Sequence, residues 1–190
     1  SLPVKTVADL IRLAKARPGQ LSFGAASGGT PHLAGELFKL QAKIDLLFVP
    51  YKGEGPAIAD AMGGQISMVF SNLPVALPQA RGGKLRGLAV TSAQRVPTAS
   101  DIPTVAESGL PCFEAFTWFG FFAPAATPRD VVTKLNAESV AGLNVPEVKE
   151  KMAAQGLFVT ANAPDPFNEF GKKEIPRWAK VVKDAGIKPQ

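Results

Sequence analysis

The hydrophobic positions of the chain follow two periods in turn, and their order predicts the order of its elements. Apolar residues recur at helical spacing through residues 4–16, which predicts a first helix that ends before Pro18-Gly19. Short apolar runs then alternate with helical patterns. The predicted strands are 21–25, 45–49, 66–70 and 85–90, and the predicted helices between them are 31–41, 56–62 and 74–80. This alternation with short connections predicts an α/β fold with a mostly parallel sheet flanked by helices.

The pattern changes in the second half of the chain. Irregularly spaced Pro and Gly predict a surface connection over residues 93–111. Residues 113–122 then contain six aromatic side chains separated by small residues, which favours a buried extended segment over a helix. Further helices are predicted from Pro128, Pro146 and about Pro166, with a short strand at 158–160.

Composition narrows the classes of function. The 190 residues suffice for one buried domain or for a domain with part of a second. No apolar run is long enough to span a membrane. The net charge of +5 comes from scattered residues rather than a basic tract, so no nucleic-acid partner is expected. A weak attraction for small anions is expected instead. The single Cys112 allows no internal disulfide, and no Cys/His cluster indicates a metal site.

Small polar turns follow three of the predicted strands, and each leads into a helix with Pro in its first turn. These turns are Ser27-Gly28-Gly29-Thr30, Tyr51-Lys52-Gly53 and Ser71-Asn72. The carboxyl ends of parallel strands meet at one edge of a sheet, where the unpaired N–H groups of helix starts bind anions. We therefore predict a carboxylate site. Its expected contacts are Ser27, Gly28, Gly29 and Thr30, with help from Tyr51, Ser71 and Asn72.

Each of these turns also has a purely structural interpretation. Thr30 and Ser71-Asn72 are residue types favoured at helix N-caps, and an exposed Lys52 is usually only solvated. The first turn matches neither a Walker A sequence nor a GxGxxG fingerprint, which disfavours nucleotide binding. His32 lies at a helix start, which disfavours its protonated form, so we predict a neutral side chain with a structural role.

Neither catalysis nor a cofactor is expected. The sequence has no GxSxG motif and no second histidine near Ser27, so no nucleophile and base can be assigned. No catalytic residue, metal ion or cofactor is therefore predicted. The alternative from another class is an α/β enzyme that acts on an acyl or phosphorylated small molecule through Ser27 or Lys52.

Seven collinear blocks resemble one family, the Bug-type extracytoplasmic solute receptors of tripartite tricarboxylate transporters. The blocks extend over nearly the whole chain, so together they are far more specific than any one motif. They are HLAGELF (32–38), VPYKGEGPAIAD (49–60), GGQISMVFSNLPVALP (63–78), GKLRGLAVTSAQR (83–95), PTVAESGLP (103–111), TWFGFFAPAATP (117–128) and RWAKVVKDAGIKP (177–189).

The resemblance implies a periplasmic-binding-protein-like fold of type II, in which two α/β lobes close over a small carboxylate. Residues 1–112 would form the second lobe and 113–124 the segment that crosses between lobes. Residues 125–190 would supply C-terminal helices to a first lobe whose N-terminal part we expect to be absent from this chain.

The resemblance also implies a location and partners. We expect a periplasmic protein whose signal peptide is not in this chain, with a small organic anion as ligand and the membrane permease subunits of the transporter as partners. Without the rest of the first lobe, the aromatic segment and the last helices would expose apolar surface unless they fold back or the chain forms a dimer.

Overall fold

The computed structural model describes residues 2–188, in which seven helices and three strands are assigned. The chain divides into two compact units: one runs to Thr117 and includes the chain from Val181 onward, and the other is Trp118–Lys180. In chain order the elements are α1 (Val7–Ala16), β1 (Ser22–Ala26), α2 (Thr30–Ala42), β2 (Leu47–Tyr51), α3 (Glu54–Met62), β3 (Met68–Val69), α4 (Leu73–Arg81), a 3₁₀ turn (Pro97–Ala99), α5 (Arg129–Leu143), α6 (Pro146–Ala154) and α7 (Pro164–Asp184).

The first unit is built on a three-stranded parallel sheet with β1 at its centre. The strand order is β2-β1-β3, and β1 pairs with β2 over five residues and with β3 over two. Helices α2 and α3 both pack against β1. The α/β fold with a parallel sheet flanked by helices is therefore confirmed.

Phe23 on β1 is the centre of the core and fixes the position of α2. Its side chain is fully buried, and its ring lies 5.1 Å from that of Phe48 and 5.7 Å from that of Phe70. Gly35 on α2 lies against the same ring, because a Cβ built there would be 2.3 Å from Phe23 Cε2. The absence of a side chain at Gly35 thus allows α2 to approach the sheet closely.

Two serines extend the short pairing between β1 and β3. The N–H of Ser22 donates to Ser67 Oγ, and the N–H of Ser67 donates to Ser22 Oγ, both at 3.1 Å. This reciprocal pair lies one residue before the backbone register of Phe23 with Met68. Hydrogen bonds from backbone N–H groups to serine hydroxyls therefore extend the pairing of β3 with β1, whereas β2 pairs with β1 through backbone bonds.

Several boundaries differ from prediction for local reasons. Helix α1 begins at Val7 rather than residue 4, because Thr6 and Asp9 form a capping box in which each side chain accepts the other's backbone N–H. Helix α3 begins two residues before Pro56, after an uncapped Gly53. The predicted helices from Pro128 and Pro146 are present as α5 and α6, and the last predicted helix is α7 with Pro176 inside it.

Two predicted strands are wrong. Residues 85–90 form only a single parallel bridge between Val90 and Thr104. Gly87 interrupts this apolar run, and Ile102 occupies the space beside it, so the segment packs against Ile102 rather than extending the sheet. Residues 158–160 form no strand, since the elements described in the second unit are all helices and offer no partner ladder.

The aromatic segment is only partly as predicted. It forms no helix, but burial is confined to Phe113 and Ala115, whereas Phe119, Phe121 and Phe122 are 76–82% exposed. In the second unit, Trp118 packs edge-on against Phe167 with ring centroids 5.6 Å apart, and Phe122 lies 5.4 Å from the same ring. Alternate residues of the segment thus contact α7, and those between them face away from it.

None of the helices that the structure describes combines the length and apolar character needed to cross a bilayer.

The contact between Gly35 and Phe23 gives a stability prediction. We expect Gly35→Ala to lower the free energy of unfolding by about 1–3 kcal/mol, since the added methyl group must displace a buried ring. Gly55→Ala is the matched control, because Gly55 lies in α3 of the same unit with open space around its Cβ position. Urea unfolding followed by circular dichroism measures both. Equal stability of Gly35→Ala and the wild type would contradict this packing.

Candidate anion-binding site

Parallel pairing places the three predicted turns at one edge of the sheet. Ala26, the last residue of β1, pairs with Tyr51, the last residue of β2, and β3 runs parallel on the other side of β1. A cleft of about 390 Å³ lies at this edge and is lined by Ala26, Ser27, Pro50, Tyr51 and Lys52. The turns that follow β1 and β2 therefore share a cavity, as a converging anion site requires.

The backbone of the Ser27 turn is largely occupied by internal hydrogen bonds. The N–H of Ser27 donates to the Tyr51 carbonyl at 3.2 Å, and the N–H of Gly29 donates to the Ala26 carbonyl at 3.3 Å. The N–H of Gly28 donates to His32 Nδ1 at 3.2 Å, and Gly28 adopts a φ of 74°, a conformation that glycine tolerates best. These bonds fix the shape of the turn and use three of its backbone donors.

Free donors remain at the start of α2. Its N-cap is Gly29, which has no side chain to satisfy the first turn, and Pro31 has no N–H. Within residues 2–188, the N–H groups of Thr30 and His32 and the hydroxyls of Ser27 and Thr30 have no protein acceptor. Thr30 is thus the first helical residue rather than the cap, and these four donors are available to an anion.

His32 holds this turn in place as a neutral side chain. It is 6% exposed, and its ring stacks on Phe48 with centroids 3.8 Å apart. Burial lowers its pKa, Glu36 opposes that shift, and the nearby Lys39 adds to it. Since Nδ1 accepts a hydrogen bond only when it is unprotonated, the structural role and neutral state predicted from the sequence agree with this geometry.

Tyr51 directs its hydroxyl to α3. The phenol donates to Asp60 Oδ2 at 2.6 Å, and this bond, with the carboxylate charge, raises the pKa of Tyr51 to about 12. The ring lies where Gly24 leaves space, because a Cβ on Gly24 would be 2.8 Å from Tyr51 Cε2. Tyr51 therefore lines the cleft while its hydroxyl is paired with another element.

The Ser71-Asn72 turn is bound to a carboxylate of the protein itself. Glu54, the first residue of α3, accepts hydrogen bonds from the Ser71 hydroxyl, from the Asn72 N–H at 2.6 Å and from Asn72 Nδ2 at 2.5 Å. Asn72 is the N-cap of α4 by position, yet its side chain makes no capping bond. No motif along the chain points to a role for Glu54. The one feature of the sequence that could have drawn attention to Glu54 is its position as an acidic residue in the first turn of a helix, where the helix dipole favours a negative charge.

The described residues contain no group of three or more His, Cys, Asp or Glu that could hold a metal ion. The free donors at the α2 start are hydroxyl and backbone N–H groups, which can donate hydrogen bonds to an anion.

Residues 1–187 match the family model described as the tripartite tricarboxylate transporter family receptor. The chain belongs to this family. A curated relative, Protein BugT of Bordetella pertussis, is 38% identical over 98% of this chain and 58% of its own length. This member of the family thus spans little more than half the length of the curated relatives it matches.

Two solved structures support the family assignment. Rpa4515 of R. palustris, solved with adipate, is 40% identical with a TM-score of 0.87, and the match covers 100% of this chain and 64% of that one. MatC from Rhodopseudomonas palustris, solved with bound malate, is 29% identical with a TM-score of 0.80, and the match covers 95% and 63%. Both ligands are dicarboxylates.

The one histidine of the chain provides a direct test of the turn. We expect its imidazole protons to titrate in NMR with a midpoint below the ordinary value of 6.5, because burial disfavours the charged form. The unfolded chain then binds the proton more readily, so stability is full above 6.5 and falls as the pH drops through 6.5 toward the folded-state pKa. Thermal unfolding between about pH 7.5 and 5.5 should show this slope, and His32→Gln should reduce it. A midpoint at or above 6.5 would contradict the assignment.

The one tyrosine provides a second test. A free tyrosine is about 90% ionised near pH 11, whereas Tyr51 should show little phenolate absorbance there, since Asp60 raises its pKa to about 12. Its contribution to stability is complete below pH 10 and is lost as the pH rises through the folded-state value. The isosteric Asp60→Asn should move the ultraviolet titration back toward 10. An unchanged midpoint in that variant would show that the hydrogen bond does not control this pKa.

Proposed function

We propose that this receptor-family chain binds a small organic carboxylate outside the cytoplasm and delivers it to the membrane permease of a tripartite transporter. The observation that carries the proposal is the set of free donors at the α2 start beside a cleft at the carboxyl edge of a parallel sheet. Family membership and the carboxylate ligands of the two solved relatives support the same ligand class.

In this proposal one ligand carboxylate lies against the Ser27–Thr30 turn. The Ser27 and Thr30 hydroxyls and the N–H groups of Thr30 and His32 would donate to it, while Gly28 and Gly29 would shape the turn. Charge-assisted hydrogen bonds of this kind contribute roughly 1.5–3 kcal/mol each. Tyr51, Ser71 and Asn72 would complete the wall of the site.

Lobe closure is part of the same proposal. Residues 1–112 would form one lobe, 113–124 the crossing segment and 125–190 a contribution to the other lobe. A receptor of this kind closes around its ligand by hinge motion and so presents a changed surface to a partner. The exposed aromatic side chains of residues 119–122 would lie in the crossing segment.

The enzyme alternative receives less support. A serine nucleophile requires a base within hydrogen-bonding distance, yet His32 Nδ1 is already bonded to the Gly28 N–H. Lys52 is exposed and lies in the wall of the cleft, where its charge can attract an anion without chemistry.

Binding of adipate and malate to the protein, measured by isothermal titration calorimetry, tests the proposal. We expect Ser27→Ala to weaken binding by about tenfold to 100-fold, because it removes one donor to a charged oxygen. Thr98→Ala is the matched control, since it removes an exposed hydroxyl from the same unit.

Two outcomes would count against this function. One is saturable binding that Ser27→Ala leaves unchanged, which would move the site away from this turn. The other is consumption of an acyl or phosphorylated compound that is lost in Ser27→Ala, which would favour the enzyme alternative.

A further inference from the structure

The turn that follows β3 encloses a carboxylate of the protein with three of its donors. Its donors are already bound by an internal anion, because both oxygens of Glu54 accept from it. Oε2 accepts from the Ser71 hydroxyl and the Asn72 N–H, and Oε1 accepts from Asn72 Nδ2. Three donors around one carboxylate form the arrangement that a carboxylate ligand would itself need at this place.

The orientation of the Asn72 amide is fixed from its other end. The Thr117 hydroxyl donates to Asn72 Oδ1 at 2.7 Å, so the amide oxygen is engaged and its nitrogen faces Glu54. The four residues thus form one chain of hydrogen bonds from α3 through the α4 start to Thr117. Such a fully hydrogen-bonded network is rigid, and replacing one member leaves its partners without a hydrogen bond.

Glu54 reverses the chemical character of the turn. Without it, Ser71 and Asn72 would offer a hydroxyl and two N–H groups to a ligand. With it, the carboxylate brings a negative charge, and its remaining lone pairs can only accept. A second carboxylate arriving here would have to displace three hydrogen bonds and would face a like charge, whereas an ammonium or hydroxyl group would find an acceptor.

We propose that Glu54 is a specificity-determining residue that disfavours a second ligand carboxylate at the Ser71-Asn72 turn and favours a hydrogen-bond donor there. This inference rests on the proposed carboxylate-binding function. Among small carboxylates it predicts a preference for those whose other end carries an ammonium or hydroxyl group in place of a second carboxylate, such as ω-amino acids and ω-hydroxy acids. Glu54 acts here through its charge and its bonds to the turn, and it takes no part in any reaction.

The test compares adipate with 6-aminohexanoate, which share one carboxylate and a chain of similar length but differ in charge at the other end. Calorimetry of the full protein gives the ratio of the two dissociation constants. We expect the wild type to bind 6-aminohexanoate more tightly than adipate. Glu54→Gln should shift the ratio toward adipate by about fivefold or more, since the variant removes the negative charge that would face the ligand's other end.

Asp45→Asn is the matched control. It also removes one negative charge isosterically, but Asp45 is exposed and precedes β2, at the opposite edge of the sheet from Glu54. Its ratio should equal that of the wild type. A ratio that shifts equally in both variants would assign the effect to net charge and overturn the proposal.

The remaining outcomes also separate the two proposals. If the wild type binds these probes and Glu54→Gln leaves the ratio unchanged, Glu54 has no role in specificity and the receptor function still holds. If neither probe binds to any form, the proposed function itself fails. Thermal unfolding checks that Glu54→Gln folds. Should it not fold, tighter wild-type binding of adipate than of 6-aminohexanoate overturns the inference without a variant.

Discussion

Parallel pairing of β1 with a strand on each side is the constraint from which the rest of the site follows. Parallel strands end at the same edge, so the turns after β1, β2 and β3 are brought together although they are far apart in sequence. The close approach of α2, which Gly35 permits over Phe23, then fixes where the start of that helix lies relative to the edge. Strand β1 therefore contributes to the core through Phe23 and also positions the turn and the helix start at the edge of the sheet.

Polar groups at this edge differ mainly in whether the protein already satisfies them. Tyr51 is paired with Asp60, Gly28 with His32, and the Ser71-Asn72 turn with Glu54. The α2 start is the exception, because its cap is a glycine and its second residue is a proline, so the helix dipole ends in uncompensated donors. An anion at this start replaces water and disrupts no protein hydrogen bond, which makes it the least costly place at this edge for a ligand to bind.

Periodicity was sufficient to predict the α/β fold and the positions of the three turns, because each depends on a local pattern. It failed for residues 85–90, because Gly87 packs against Ile102, a residue distant in the sequence. It also failed for 158–160, because no neighbouring strand is available there. The partners Asp60 and Glu54 were missed for the same reason. Their bonds to Tyr51 and to Asn72 depend on how α3 crosses the sheet, and no spacing along the chain records that geometry.

The unequal pairing of the strands has a consequence for local opening. The Ser27 turn follows the central strand, which is bonded along both sides, whereas the Ser71-Asn72 turn follows a strand paired over two residues and supported by serine hydroxyls. Fewer backbone bonds must break to detach β3, so its amide protons should exchange with solvent sooner than those of β1. The Ser27 turn is thus anchored as firmly as the core, whereas the Ser71-Asn72 turn can yield while the sheet remains intact.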